Sequence, residues 1–150
     1  MVSAYAGRTV DVSLWQPNGA GFFTDTKGRG YMVTGVYKLA QRFVVTLLNE
    51  ESSPVYTFGR PVVGGTCLLS ELRSGRICNE ADMRAVFALA EMQARMQMSA
   101  EESTTDPTDE RYKKSTLSSL TVSPGAIYLH ITTESVAGTA ASVILPIPIV

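Results

Sequence analysis

The sequence predicts an α+β fold: two main helices packed on a C-terminal three-stranded antiparallel β-meander, with an N-terminal extension. Two stretches, about 34–48 and 80–98, repeat apolar residues at helical spacing. The last third alternates apolar and polar residues between turn sequences. Together these set the class, because local helices followed by a run of strands segregate into separate layers.

The composition bounds the rest. A chain of 150 residues suits one domain and can bury a core without metal or disulfide support. The net charge of −1 argues against a nucleic-acid binder, which carries a basic excess. Charged residues make up 18% and apolar residues 45%, a low-charge surface that suits a subunit covered by neighbours. The N-terminus shows no charged start followed by an apolar run, so no signal peptide is expected. The longest apolar runs fall short of the ~20 residues that span a bilayer. The expectation is a soluble protein made in a cytoplasm.

Val10, Val12 and Leu14 alternate with Thr9, Asp11 and Ser13, the pattern of a short strand with one wet face. QPNGAG (16–21) then breaks regular structure, and a second glycine corner, TKGRG, precedes the first strong element. That element is a helix from about Thr34 to Leu48. It places Val36, Leu39, Ala40, Phe43, Val44, Leu47 and Leu48 inward, with Lys38, Gln41, Arg42 and Val45 on the other side. The β-branched run Val44–Thr46 lowers its intrinsic propensity, so packing must hold it. NEESSP ends it at Pro54.

From Val55 to Cys78 the chain reads as irregular, with one turn of helix in CLLSEL. Asn79 is a good N-cap for the second helix, with Glu80 and Asp82 in the first turn where the dipole favours acids. Met83, Val86, Phe87, Ala90 and Ala94 form one stripe, and Leu89, Met92 and Met96 a neighbouring one. A stripe that broad implies burial on more than one side. Residues 99–114 are polar and read as an exposed loop or linker. In the meander, Ser123-Pro124-Gly125 makes the first turn and Val136-Ala137-Gly138 the second. Ile127, Leu129 and Ile131 share one face of the middle strand; Val143, Leu145, Ile147 and Ile149 share one face of the last.

Candidate chemistry is thin. GRPVVGGT (59–66) looks like a phosphate loop, G-x-x-x-x-G-K-S/T, but Gly65 stands where lysine should be, and Pro61 removes a backbone donor. No clear strand precedes it and no suitable helix starts directly at Thr66, so it reads as a glycine corner. His130, the only histidine, points outward from a strand with no nucleophile signature nearby. Cys67 and Cys78 lack metal-ligand spacing and read as ordinary buried thiols. Glu101, Glu102, Asp106, Asp109 and Glu110 lack calcium-loop spacing and read as solvated charge. No catalytic, cofactor or metal site is expected.

Pro146 and Pro148 are more informative. Spaced two apart on the last strand, they interrupt hydrogen bonding and mark an edge strand. The edge is either protected against aggregation or belongs to a sheet that accepts a partner's strand along its other edge.

The order of these elements resembles the small baseplate wedge proteins of contractile phage tails, also called the lysozyme-like or sheath-initiator family. Related subunits occur in type VI secretion and other contractile injection systems. The matching stretches are GVYKLAQRFVVTLLNEESS (35–53), GGTCLLSEL (64–72), the helix at 80–98, STLSSLTVSPGAIYLHITTE (115–134) and the closing SVILPIPIV. The resemblance spans 35–150 and leaves 1–34 as an extension. One departure is visible: the family's Glu-Pro-Arg motif before the meander is replaced or displaced. Glu110 and Arg111 lie without a proline between them, and Tyr112, Lys113 and Lys114 occupy the register positions.

The resemblance implies a structural virion protein of the tail baseplate, assembled in the host cytoplasm. Its helices would dock on the wedge around the tail tube, and its meander would template the first sheath ring by β-strand addition. Its partners would be the sheath subunit, other wedge proteins and tube proteins, with no nucleic acid and no membrane. The partner-binding residues would be Glu110, Arg111, Lys113 and Lys114, together with Val143, Leu145, Ile147 and Ile149 on the last strand. Removing Leu145 to Val150 would then leave the helical part folded but block sheath assembly. The alternative within the same assembly is a tail-completion or adaptor protein at a ring junction. A small hydrolase or nucleotide-binding domain is the rival from another class, and it would depend on Cys67, His130 or the glycine corner.

Overall fold

In the computed structural model, residues 33–50 and 65–148 are described in full, together with the backbone of short strand segments before and between them. The expected α+β class holds. Three helices and a three-stranded antiparallel sheet share one apolar core.

Helix α1 (Gly35–Leu48) buries Leu39, Ala40, Phe43, Val44 and Leu47, as its spacing predicts. Gln41 departs from that prediction, since it is buried at 6% exposure. Both ends of α1 are held by distant residues. At its start, Gly35 takes a φ of +63°, which only glycine adopts cheaply. Its N–H donates to Glu110 Oε1 at 3.2 Å, and the Thr34 hydroxyl donates to the same oxygen at 2.9 Å. The Glu110 carboxylate thus serves as the cap that Thr34 does not supply itself. At its end, the Thr66 hydroxyl donates to the Leu47 carbonyl at 2.7 Å, and the Thr66 N–H donates to the Asn49 carbonyl at 2.8 Å.

The stretch after α1 is more ordered than its composition suggests. Val55–Thr57 and Arg60–Val62 pair antiparallel, with Tyr56 opposite Pro61. The CLLSEL segment becomes helix α2 (Leu68–Arg73), which starts two residues beyond Thr66 and anchors itself through buried Leu68. Before α1, Asp11–Val12 pairs with Met32–Val33, and Trp15–Gln16 pairs with Gly19–Ala20. The expected strand around Val10–Leu14 is therefore present at Asp11–Val12, and the rest of it lies outside the described residues.

Helix α3 (Glu80–Glu101) begins at Asn79, whose side chain accepts the Asp82 N–H at 2.8 Å. The Met83, Phe87, Ala90, Ala94 stripe is buried, with Met98 continuing it. The neighbouring stripe is not. Leu89 is 46%, Met92 48% and Met96 70% exposed, so the expectation of burial on more than one side is corrected. Residues 99–114 are also not a linker. Helix α3 runs to Glu101, the Asp106 carboxylate accepts the Ser103 N–H at 2.8 Å, and a 3-10 turn at Thr108–Glu110 leads into the sheet.

The meander comprises β1 (Tyr112–Ser123), β2 (Ala126–Ser135) and β3 (Ala140–Pro148), in that spatial order. Pro124 and Gly125, at φ +85°, make the first turn; the second closes through Gly138 N–H to Ser135 O. Register is set by the core: Leu117 opposes Ile131, which opposes Val143, and Leu129 opposes Leu145. The inner face meets α1 and α3, where Tyr112 stacks on Phe43 at 5.4 Å and Phe43 meets Phe87 edge-on at 6.3 Å.

Candidate interaction surface

The glycine corner has a structural occupation. The Gly65 N–H donates to Gln97 Oε1 and the Cys67 N–H to Gln93 Oε1, both at 2.9 Å. The Gly65 and Cys67 donors are thus taken by glutamines of α3, while Thr66 closes α1. Cys67 is buried beside them; Cys78 is exposed, which corrects the expectation that both thiols are buried. Both are free thiols.

A second polar centre locks α3 to the sheet. Glu91, only 4% exposed, accepts from Tyr112 Oη at 2.8 Å and from the Ser115 N–H at 3.3 Å. Arg95 meets the same carboxylate through two nitrogens, at 3.1 and 2.5 Å. This hydrogen bond to Glu91 raises the Arg95 pKa, and burial pushes the Tyr112 phenol up. A buried carboxylate with this many donors is a satisfied lock, because both of its oxygens have partners. Sequence reasoning missed it, since Glu91 sits at the seam between two apolar stripes.

A cleft of about 200 Å³ lies between α1 and the loop after α3, lined by Lys38, Leu39, Arg42, Glu101, Glu102, Asp106 and Glu110. Glu102 holds it together: it accepts the Tyr112 N–H at 2.9 Å and Arg42 at 3.4 Å. Burial, the dominant influence, raises the Glu102 pKa above the usual carboxylate range. Among the described residues, no group of three or more His, Cys, Asp and Glu side chains is placed to hold a metal ion. No described helix is long and apolar enough to cross a membrane. His130 lies on β2 opposite Ser119 and Ile144.

The residues assigned to partner binding fall in different places. Glu110 is 5% exposed and caps α1. Arg111 is half-buried, its carbonyl accepting the Val136 N–H at 2.9 Å and its Nε buried without a partner. Lys113 and Lys114 are exposed, and both pair with Glu134 on β2, at 2.8 and 3.6 Å. The hydrogen bond from Lys113 is the main reason the Glu134 carboxyl is held below its ordinary pKa. Val143 is half-buried, whereas Leu145 and Ile147 lie in the core at 4% and 6% exposure. Ile149 lies outside the described residues. The sheet therefore brings Lys113 and Lys114 together, while the apolar row of β3 faces inward.

What the surface presents is backbone and helix face. Among the described residues, no strand pairs with the outer edge of β1 or of β3. The outer edge of β1 is already engaged: Glu102 takes the Tyr112 N–H, Glu91 takes the Ser115 N–H, and Arg84 donates to the Leu117 carbonyl at 2.9 Å. Register shifts at Tyr112/Lys114 and Leu117/Ser119 kink it further. The edge of β3 carries the two prolines, at rows shared with Tyr128 and Ala126. On α3, Leu89, Met92 and Met96 form an exposed apolar stripe. No protein-family model, curated protein or solved structure matches this chain.

Proposed function

We propose that this chain is a structural subunit of a contractile-tail baseplate. It docks on the wedge around the tail tube and templates the first sheath ring by β-strand addition, without catalysis. The observation that carries this reading is an open three-stranded meander at the end of the chain, with no strand on either edge among the described residues. An unfilled ladder of this kind supplies main-chain hydrogen bonds to an incoming segment, and flanking side chains set its register. The exposed Leu89, Met92 and Met96 stripe on α3 supports the second part, helix docking on the wedge. Its partners are the sheath subunit, other wedge proteins and the tube, and its location is the virion baseplate after assembly in the host cytoplasm.

The test is electron microscopy of particles made without this chain. Tubes with wedges attached but no sheath are the expected product. Normally sheathed tails would refute the reading.

A further inference from the structure

The geometry points to the first half of β3, Ala140 to Ile144, as the receiving edge for a short extended segment of a second polypeptide. This inference rests on the strand-addition reading and narrows it to one edge and one length of ladder.

The direction of each backbone group follows from the contacts. In an antiparallel ladder, successive residues turn their N–H and C=O groups alternately toward one neighbour and the other. Ser115 and Leu117 turn away from β2, because their backbone groups bond Glu91 and Arg84. Their partners across the ladder, Thr133 and Ile131, must therefore turn toward β3, where they face Ala141 and Val143. Continuing the register, Ala141, Val143, Leu145 and Ile147 bond β2, and Ala140, Ser142, Ile144, Pro146 and Pro148 turn outward. The prolines confirm the phase independently: a residue without an N–H sits in a ladder only where that position faces away from the neighbour.

The outer border of β3 is thus divided. Ala140, Ser142 and Ile144 offer both a donor and an acceptor, whereas Pro146 and Pro148 offer acceptors only. An incoming strand can pair fully beside Ala140 to Ile144 and loses its donors beyond. The border of β1, where the sequence alone would place a partner's strand, is the poorer site. Of its outward groups the Tyr112 and Ser115 N–H and the Leu117 carbonyl are already taken, and the next outward residues, Leu120 and Val122, follow a register shift. Side chains also favour β3. Val143 is half-buried on the core side, and Ile144 is 55% exposed on the opposite face. The fitting segment is therefore short, extended and apolar at consecutive positions, so that it covers both.

Amide hydrogen exchange on the free chain is the first measurement. Ala140, Ser142 and Ile144 should exchange about tenfold or more faster than Ala141, Val143 and Leu145, as exposed edge amides do. Equal protection would show the border filled by the chain itself and overturn the inference. The second measurement is binding of the purified sheath subunit. It should protect those three amides and be lost in Ser142→Pro, which removes one outward N–H, but not in Ser142→Ala, which keeps it. Binding that survives Ser142→Pro and disappears in Val122→Pro would move the site to β1 and leave the proposed function standing. A sheath subunit that ignores the unaltered chain would remove the proposed function itself. Unchanged exchange at core amides such as Leu129 shows that each variant is folded.

Discussion

Tyr112 ties α1, α3 and the loop after α3 to the first strand of the meander. Its ring stacks on Phe43, its hydroxyl reaches Glu91, and its N–H is taken by Glu102. Tyr112→Phe keeps the ring and removes one donor from a carboxylate that retains Arg95 and the Ser115 N–H. The expected loss is about 1.5–3 kcal/mol, the net worth of a hydrogen bond to a charged group, read from urea unfolding. Glu91→Ala should cost more, about 3–5 kcal/mol, because it strands the phenol and the Ser115 N–H together. Nothing in the sequence marks Glu91 for this role. A glutamate between two apolar stripes looks like the boundary of a helix face, and only the fold brings Tyr112 and Ser115 against it.

At the scale of elements, legibility followed periodicity. Both long helices and all three strands of the meander were readable, because each repeats apolar residues at its own spacing over many positions. The errors came where a tertiary partner decides. Residues 99–114 are polar enough for a linker, yet Glu102 and Glu110 turn inward to bond backbone donors of β1 and α1. The Leu89, Met92, Met96 stripe is apolar enough for a core, yet the sheet has room behind only one face of α3. Glu110 gives the test of this level. Glu110→Ala should cost about 1–2 kcal/mol, the worth of a helix cap, in urea unfolding, and amides of the first turn of α1 should lose protection before the rest. Unchanged protection there would mean that the Thr34 hydroxyl suffices.

For the whole molecule, the last strand is part of the core and not an appendage. Leu145 and Ile147 are buried against the same cluster as Phe43 and Leu129. Deleting Leu145 to Val150 therefore should not leave the helices folded, contrary to the expectation from sequence. Each lost core side chain costs about 2–5 kcal/mol, against a total stability of about 5–15 kcal/mol for a domain. The truncated chain should show no cooperative thermal transition by circular dichroism; a sharp one would show a helical unit that stands alone. The candidate surface was only half legible for a related reason. The prolines announce an edge from sequence, but which border is spent depends on side chains of α3 that reach it from far along the chain.

The two clasps on α1 also bear on synthesis. Its carboxylate clasp comes from Glu110 and its hydroxyl clasp from Thr66, so a nascent chain that has released only α1 has neither. Until translation passes the start of the meander, the ribosome presents a bare amphipathic segment with no sheet to cover Phe43 and Leu47. Contacts this distant form late and leave sticky intermediates exposed.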